Sequence, residues 1–167
     1  TNQLTLDVEK FLRNDKDVFL AAINEFPRAA LYMGEELKND KEIVIMAVKQ
    51  FSLTLLHISK ELQNDKEVLL EAVKGSGLAL ELISPKWRDD KDIVLEAVKQ
   101  YGRVLEFASE RLQNDKEVVI HAIRSELVAL GYVSEKLKQD IDVIKELIKK
   151  DVYYLKIIDK SLINKEF

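Results

Sequence analysis

The side chains able to do chemistry in this chain fall into rows. Asp15, Asp40, Asp65, Asp90, Asp115 and Asp140 recur every 25 residues. Carboxylates in such a set could ligate a metal or work as an acid–base pair. A catalytic pair is needed once, however, and this row repeats six times. Helix starts, where unpaired backbone N–H groups and the positive end of the helix dipole welcome an acid, account for it more simply. A second row, Lys49, Lys74, Lys99, Arg124 and Lys149, is a secondary candidate site: a basic track for an acidic or phosphate-bearing ligand. Cations also belong at helix C-termini, and Glu96 stands three residues before Lys99, within pairing range on a helix. A third row, Lys16, Lys41, Lys66, Lys91 and Lys116, opposes the dipole of a first helical turn, so acids of a neighbouring repeat are its expected partners.

Little else could react. His57 and His121 occupy different repeat positions and cannot build a His-rich metal cluster. Ser59, Ser84, Ser109 and Ser134 sit where helix caps belong, not where a triad nucleophile would be set beside a histidine. Gly75-Ser76-Gly77 lacks both the lysine and the preceding strand of a phosphate-binding loop. With no cysteine there are no disulfides and no thiolate metal sites. The expectation is a non-enzyme with no metal and no cofactor.

The rows imply the elements that carry them. The phrase Leu-x-Asn-Asp-Lys-Asp/Glu-Val begins at Leu12, Leu37, Leu62, Trp87, Leu112 and Leu137 without insertion or deletion. In Asn39-Asp40-Lys41-Glu42 and its equivalent at Asn64, the Asn-x-x-Glu spacing predicts a capping box with asparagine as the N-cap. Ile43, Val44, Ala47 and Val48 then mark one helical face, and Ile45 widens the stripe. The pattern predicts helices near 15–25, 40–50, 65–74, 90–100, 115–125 and 140–150. A break at Pro27, Ser52, Gly77 or Gly102 leads into a shorter second helix, with Ala79, Leu80 and Ile83 and their equivalents inward. The serines then cap one further turn before the next leucine.

No such unit buries its stripe alone, and stacking supplies the missing surface. The predicted fold is therefore all-α: an α-solenoid of six 25-residue two-helix repeats over 12–161. A half-repeat precedes it at 1–11, with Leu4, Val8 and Phe11 on one face. A truncated repeat start follows at 162–167. The sixth unit reads as a cap, because Ile141 replaces the repeated lysine and Lys145 the apolar ninth residue.

Composition agrees. Hydrophobic residues at 47% and charged residues at 34% describe a globular chain, and 5 Gly with 2 Pro leave too few turns for an all-β fold. A net charge of −4 gives no overall attraction to nucleic acid. No apolar run approaches the ~20 residues that span a bilayer, and no signal peptide opens the chain. An intracellular, cytoplasmic monomer without membrane contact is expected, as a segment of a longer protein, since the first residue is Thr1.

Residues 87–111, beginning Trp87-Arg88-Asp89-Asp90-Lys91-Asp92-Ile93-Val94 and continuing Leu95-Glu96-Ala97-Val98-Lys99-Gln100-Tyr101-Gly102, carry the motif most fully. The motif resembles a bacterial and protist family of short helical repeats, the domain of unknown function 4116. The likeness returns in phase over about residues 12–150. It implies a tandem-repeat scaffold, often part of larger proteins, and it implies no activity and no functional residue.

Repeated positions are explained by the scaffold, whereas a partner is not periodic. A binding surface is therefore expected at exposed positions that differ between units. On the outward side of the second helix these are Arg28, Leu31 and Tyr32; Leu53, Leu56 and His57; Leu78, Glu81 and Leu82; Arg103, Glu106 and Phe107; and Val128 and Tyr132. Aromatic and aliphatic anchors with arginine nearby suit a protein partner. Packing against adjoining helices is the competing account. Single-stranded nucleic acid binding, one base per repeat, is the alternative function, with Tyr32, Phe107 and Tyr132 as partial stacking platforms. A regulatory domain attached to an enzyme elsewhere in a longer chain is the remaining alternative.

Overall fold

A computed structural model describes residues 3–152. Its helices are α1 (Gln3–Asn14), α2 (Lys16–Glu25), α3 (Lys41–Gln50), α4 (Lys66–Gly75), α5 (Lys91–Gln100), α6 (Glu110–Gln113), α7 (Lys116–Ser125), α8 (Glu135–Lys138) and α9 (Ile141–Lys150). The described residues contain no strand, and the six ten-residue helices keep the 25-residue register read from the sequence. The chain is thus an all-α tandem repeat. The repeat start expected at 162–167 lies outside the described residues, as do the side chains of Leu4 and Val8. Phe11, the third member of that face, is 67% exposed.

The helices start one residue later than the capping-box reading placed them. Aspartate, not asparagine, is the N-cap. Asp65 accepts from the N–H groups of Glu67 (2.9 Å) and Val68 (3.2 Å); Asp90, Asp115 and Asp140 do the same in their repeats, and Asp40 accepts from Ile43 N–H. The asparagines turn backwards. Asn39, Asn64 and Asn114 each donate to the carbonyl four residues earlier, closing the short turn that precedes the cap. The physical reason is backbone conformation: Asp65 is extended (φ −88°, ψ 120°), as a cap residue must be, whereas Asn64 still belongs to the preceding 3₁₀ turn.

The predicted second helix is a 3₁₀ helix. It runs over Pro27–Tyr32, Ser52–Leu56, Gly77–Glu81, Gly102–Phe107 and Leu127–Tyr132. Its bonds close over three residues, as in Ala79 N–H to Ser76 O and Leu82 N–H to Ala79 O, both 2.9 Å. Leu55 and Ile58, Leu80 and Ile83, and Leu105 and Ala108 are buried pairs spaced by three. That spacing fits three residues per turn, and five or six residues are too few to sustain an α-helix alone. One further turn follows: 3₁₀ at Leu37–Asn39, Leu62–Asn64 and Trp87–Asp89, and α at α6 and α8. Ser109 and Ser134 cap α6 and α8 as expected, accepting from Leu112 and Leu137.

The chain divides into two compact units after Ile83. In the first, α2, α3 and α4 pack in succession. Ile43, Val44, Ala47, Val48, Val68, Leu69, Ala72 and Val73 form its core and are at most 3% exposed. The small alanines bring the helices so close that a Cβ at Gly75 would lie 2.3 Å from the Lys49 carbonyl oxygen. The second unit repeats the plan with α5, α7 and α9, over Val94, Ala97, Val98, Val119, Ala122 and Ile123, all fully buried. Within each unit the serine before the single turn donates its N–H back one repeat, Ser59 to Lys38 O (3.1 Å) and Ser109 to Arg88 O (3.0 Å).

Candidate functional site

Each 3₁₀ segment is pinned by its inward side chains and offers the others to solvent. In the first unit Ala30, Leu55, Ala79 and Leu80 are at most 3% exposed and hold Pro27–Tyr32, Ser52–Leu56 and Gly77–Glu81 side by side. Thr54 is buried with them, its hydroxyl donating to Phe51 O at 2.6 Å. The outward set is then Tyr32 at 66%, Leu56 at 56%, Leu53 at 41% and Leu78 at 36% exposure. Arg28, His57 and Glu81 are exposed around them, and Leu31 and Leu82 are half-buried. Phe51, Leu53, Leu78 and Leu82 line a shallow cleft of about 360 Å³ between two successive repeats.

The second unit presents a more polar version. Arg103 and Glu106 are exposed, and Val128 is the exposed apolar residue there. Phe107 is half-buried, with the Arg88 guanidinium 5.8 Å from its ring centre. Tyr132 is also half-buried; its hydrogen bond to Glu106 pushes the phenol above its ordinary pKa. The Arg103 N–H donates to the Glu126 carboxylate at 2.9 Å. Of the expected surface, Tyr32, Leu53 and Leu56 are thus brought together in the open, while Phe107 and Tyr132 are partly taken up by packing.

Phe26, 72% exposed at the end of α2, was missed in reading the sequence. A signal exists, since Phe26, Phe51 and Tyr101 share one repeat position, just before the break at Pro27, Ser52 and Gly102.

The basic row is engaged in ion pairs. Lys49 and Lys74 both meet Glu71, at 2.6 and 2.7 Å, and Lys99 meets Glu96 at 2.8 Å. Arg124 grips Glu146 with two nitrogens, at 2.8 and 3.0 Å, and Lys149 adds a third contact at 2.7 Å. The Arg124 guanidinium and the Lys149 ammonium hold the Glu146 carboxyl at about 2. The first-turn lysines find acids of the following repeat, as expected. Lys41 meets Asp65 (2.7 Å) and Glu67 (2.8 Å), Lys91 meets Asp115 (2.8 Å) and Glu117 (2.9 Å), and Lys116 meets Asp140 (3.0 Å) and Asp142.

His57 is exposed in the first unit and His121 half-buried in the second. Among the described residues no group of three or more His, Cys, Asp or Glu is placed to hold a metal ion, and no helix is long and apolar enough to cross a membrane.

The family model of the domain of unknown function DUF4116 matches five overlapping times, at residues 15–63, 40–88, 65–113, 90–127 and 115–163. Successive matches begin 25 residues apart, so each covers more than one repeat. No curated protein and no solved structure matches the chain.

Proposed function

The chain belongs to the DUF4116 family, and from that footing we propose that it is a non-catalytic repeat scaffold that binds another protein through the first unit's 3₁₀ face. One observation carries the reading. Tyr32, Leu53, Leu56 and Leu78 are each at least 36% exposed on neighbouring segments, at positions that carry other residue types elsewhere in the array, such as Arg28 and Arg103 against Leu53 and Leu78. A solvated face has no use for four large apolar side chains in one place, and such patches mark interaction surfaces. Arg28 and His57 supply the polar rim that interface centres carry. Glu81 places an acid at the same edge, which suits a partner of mixed charge over a phosphate backbone.

The test pairs Tyr32→Ala with Leu56→Ser. Both side chains are more than half exposed, so helicity and melting temperature should stay within a degree or two of wild type, as surface substitutions generally do. Partner recovery in a quantitative pull-down from the source cell should drop at least about tenfold if both are interface anchors. Equal recovery of every partner, or a large loss of stability, would return these residues to the scaffold.

A further inference from the structure

The outward residues of the first unit are ordered along the stack. Pro27–Tyr32, Ser52–Leu56 and Gly77–Glu81 lie side by side, one from each of three successive repeats. Arg28, Leu53 and Leu78 hold one repeat position, and Leu31, Leu56 and Glu81 hold another. The two positions are three residues apart, a full turn of a 3₁₀ helix, so they share a face. The cation of that face therefore stands on the first segment and the acid on the third, with Leu53 and Leu56 on the segment between them. All four of these side chains are exposed, and Arg28 makes no ion pair among the described residues.

Such a face is complementary to itself. A two-fold axis lying in its plane, passing between Leu53 and Leu56 and square to the line from Arg28 to Glu81, exchanges its two ends. Arg28 then faces Glu81 of a second copy, Glu81 faces Arg28 of that copy, and Leu53 and Leu56 meet their counterparts at the centre. With the repeats of the two copies running parallel, Arg28 would instead face Arg28 and Glu81 would face Glu81. An apolar centre with paired charges at its rim is the ordinary anatomy of an interface. The second unit has no such arrangement. Arg103 and Glu106 stand there on one segment, so its charges do not mark two ends.

We propose that the first unit's 3₁₀ face docks a second copy of this chain in antiparallel register, closed by two Arg28–Glu81 pairs around Leu53, Leu56 and Leu78. This rests on the reading of that face as a protein-binding surface and names the partner, in place of the monomer expected from the sequence. An unrelated partner needs only to complement whatever the face presents. A second copy requires the face to be its own complement, and Arg28 and Glu81, on the outer two of three segments, meet that requirement. Three short segments a side make an interface at the small end of the range, so the dimer is a weak one.

Sedimentation of the whole chain at low ionic strength, from about 1 μM to about 1 mM, covers the affinities of weak interfaces. A mass that rises toward the dimer is expected. Leu56→Asp should abolish the rise, because it buries a charge on each side. Arg28→Glu and Glu81→Arg should each weaken association at least about tenfold, since symmetry sets two like-charge pairs in every dimer. An equimolar mixture of those two variants should regain wild-type association to within about threefold, because each then offers the sign that the other needs. Mixing would not repair a contact between Arg28 and Glu81 inside one chain. Circular dichroism establishes that the three variants are folded. A wild-type chain that stays monomeric, a dimer indifferent to Leu56→Asp, or a mixture no stronger than its components overturns the proposal. A monomer that still loses its partner in the pull-down with Tyr32→Ala and Leu56→Ser gives the face to a different protein, so this inference then fails while the reading it rests on stands.

Discussion

Asp65 illustrates how one residue type serves two neighbours. Its Oδ1 accepts from the N–H groups of Glu67 and Val68, and its Oδ2 accepts from Lys41 of the repeat before. The lysine thereby gains a partner strong enough to offset its place at the wrong end of the helix dipole. Asp65→Ala removes both functions and should cost about 1–2 kcal/mol, the upper part of the range for losing a cap. Asp65→Asn retains a cap oxygen and should cost less, by the ~0.2–1 kcal/mol of an exposed ion pair. Asn64→Ala removes only a hydrogen bond to Lys60 O on an exposed turn, and should stay within ~0.5 kcal/mol of wild type. Urea midpoints of the three variants check the order, and an Asn64 effect larger than the Asp65 effect would contradict the cap assignment.

Between elements, spacing is decided by what stands at the closest approach. Gly75 ends α4 against the backbone of Lys49 at the end of α3, and an added Cβ would meet a carbonyl that cannot swing aside. Gly75→Ala should therefore destabilise by about 1–3 kcal/mol, although alanine is the better helix former. Gly131 makes a matched control. A Cβ there meets nothing within 4 Å, and its φ is not positive. Gly131→Ala should be neutral or stabilising by up to ~1 kcal/mol through the unfolded chain. Thermal melts of the two variants should move in opposite directions or differ by several degrees.

Across the whole molecule the paired acids make stability depend on pH in one direction. Hydrogen bonds from Lys16, Lys41 and Lys49 hold Asp40, Asp65 and Glu71 below their ordinary values. Burial raises Asp115 and Asp140, but their lysines and the capped N–H groups outweigh it, and both also lie low. A carboxyl depressed by folding contributes stability that is complete above its unfolded pKa and lost as pH falls through its folded one. The melting temperature should therefore hold down to about pH 5 and fall from there toward about pH 2. Glu146, held at about 2 by Arg124 and Lys149, loses its share last. Glu146→Gln should lower the melting temperature at neutral pH and flatten the acid end of the curve. The raised lysines act in the opposite window, and their share is lost only as pH climbs past about 10.5. A melting curve that rises between pH 5 and pH 2 would contradict these assignments.

The residue pattern alone determined the all-α repeat, its 25-residue register and the positions of the ten-residue helices, because apolar spacing at 43, 44, 47 and 48 and its five echoes admits one helical face. It also determined the lysine–aspartate logic, since a cation in a first turn requires an acid from elsewhere. Three things waited for the tertiary structure. Whether Asn64 or Asp65 caps depends on which residue is extended, and the two side chains have similar capping preference. That the second element is 3₁₀ follows from its length between two fixed ends, which periodicity over five residues does not resolve. Exposure was the least legible: Val18 and Ile43 have the same place in the motif, yet one is 44% exposed and the other 3%. A repeat sequence assigns both to the core. Only the packed helices show that Ile43 is covered by a neighbour while Val18 is left part-exposed.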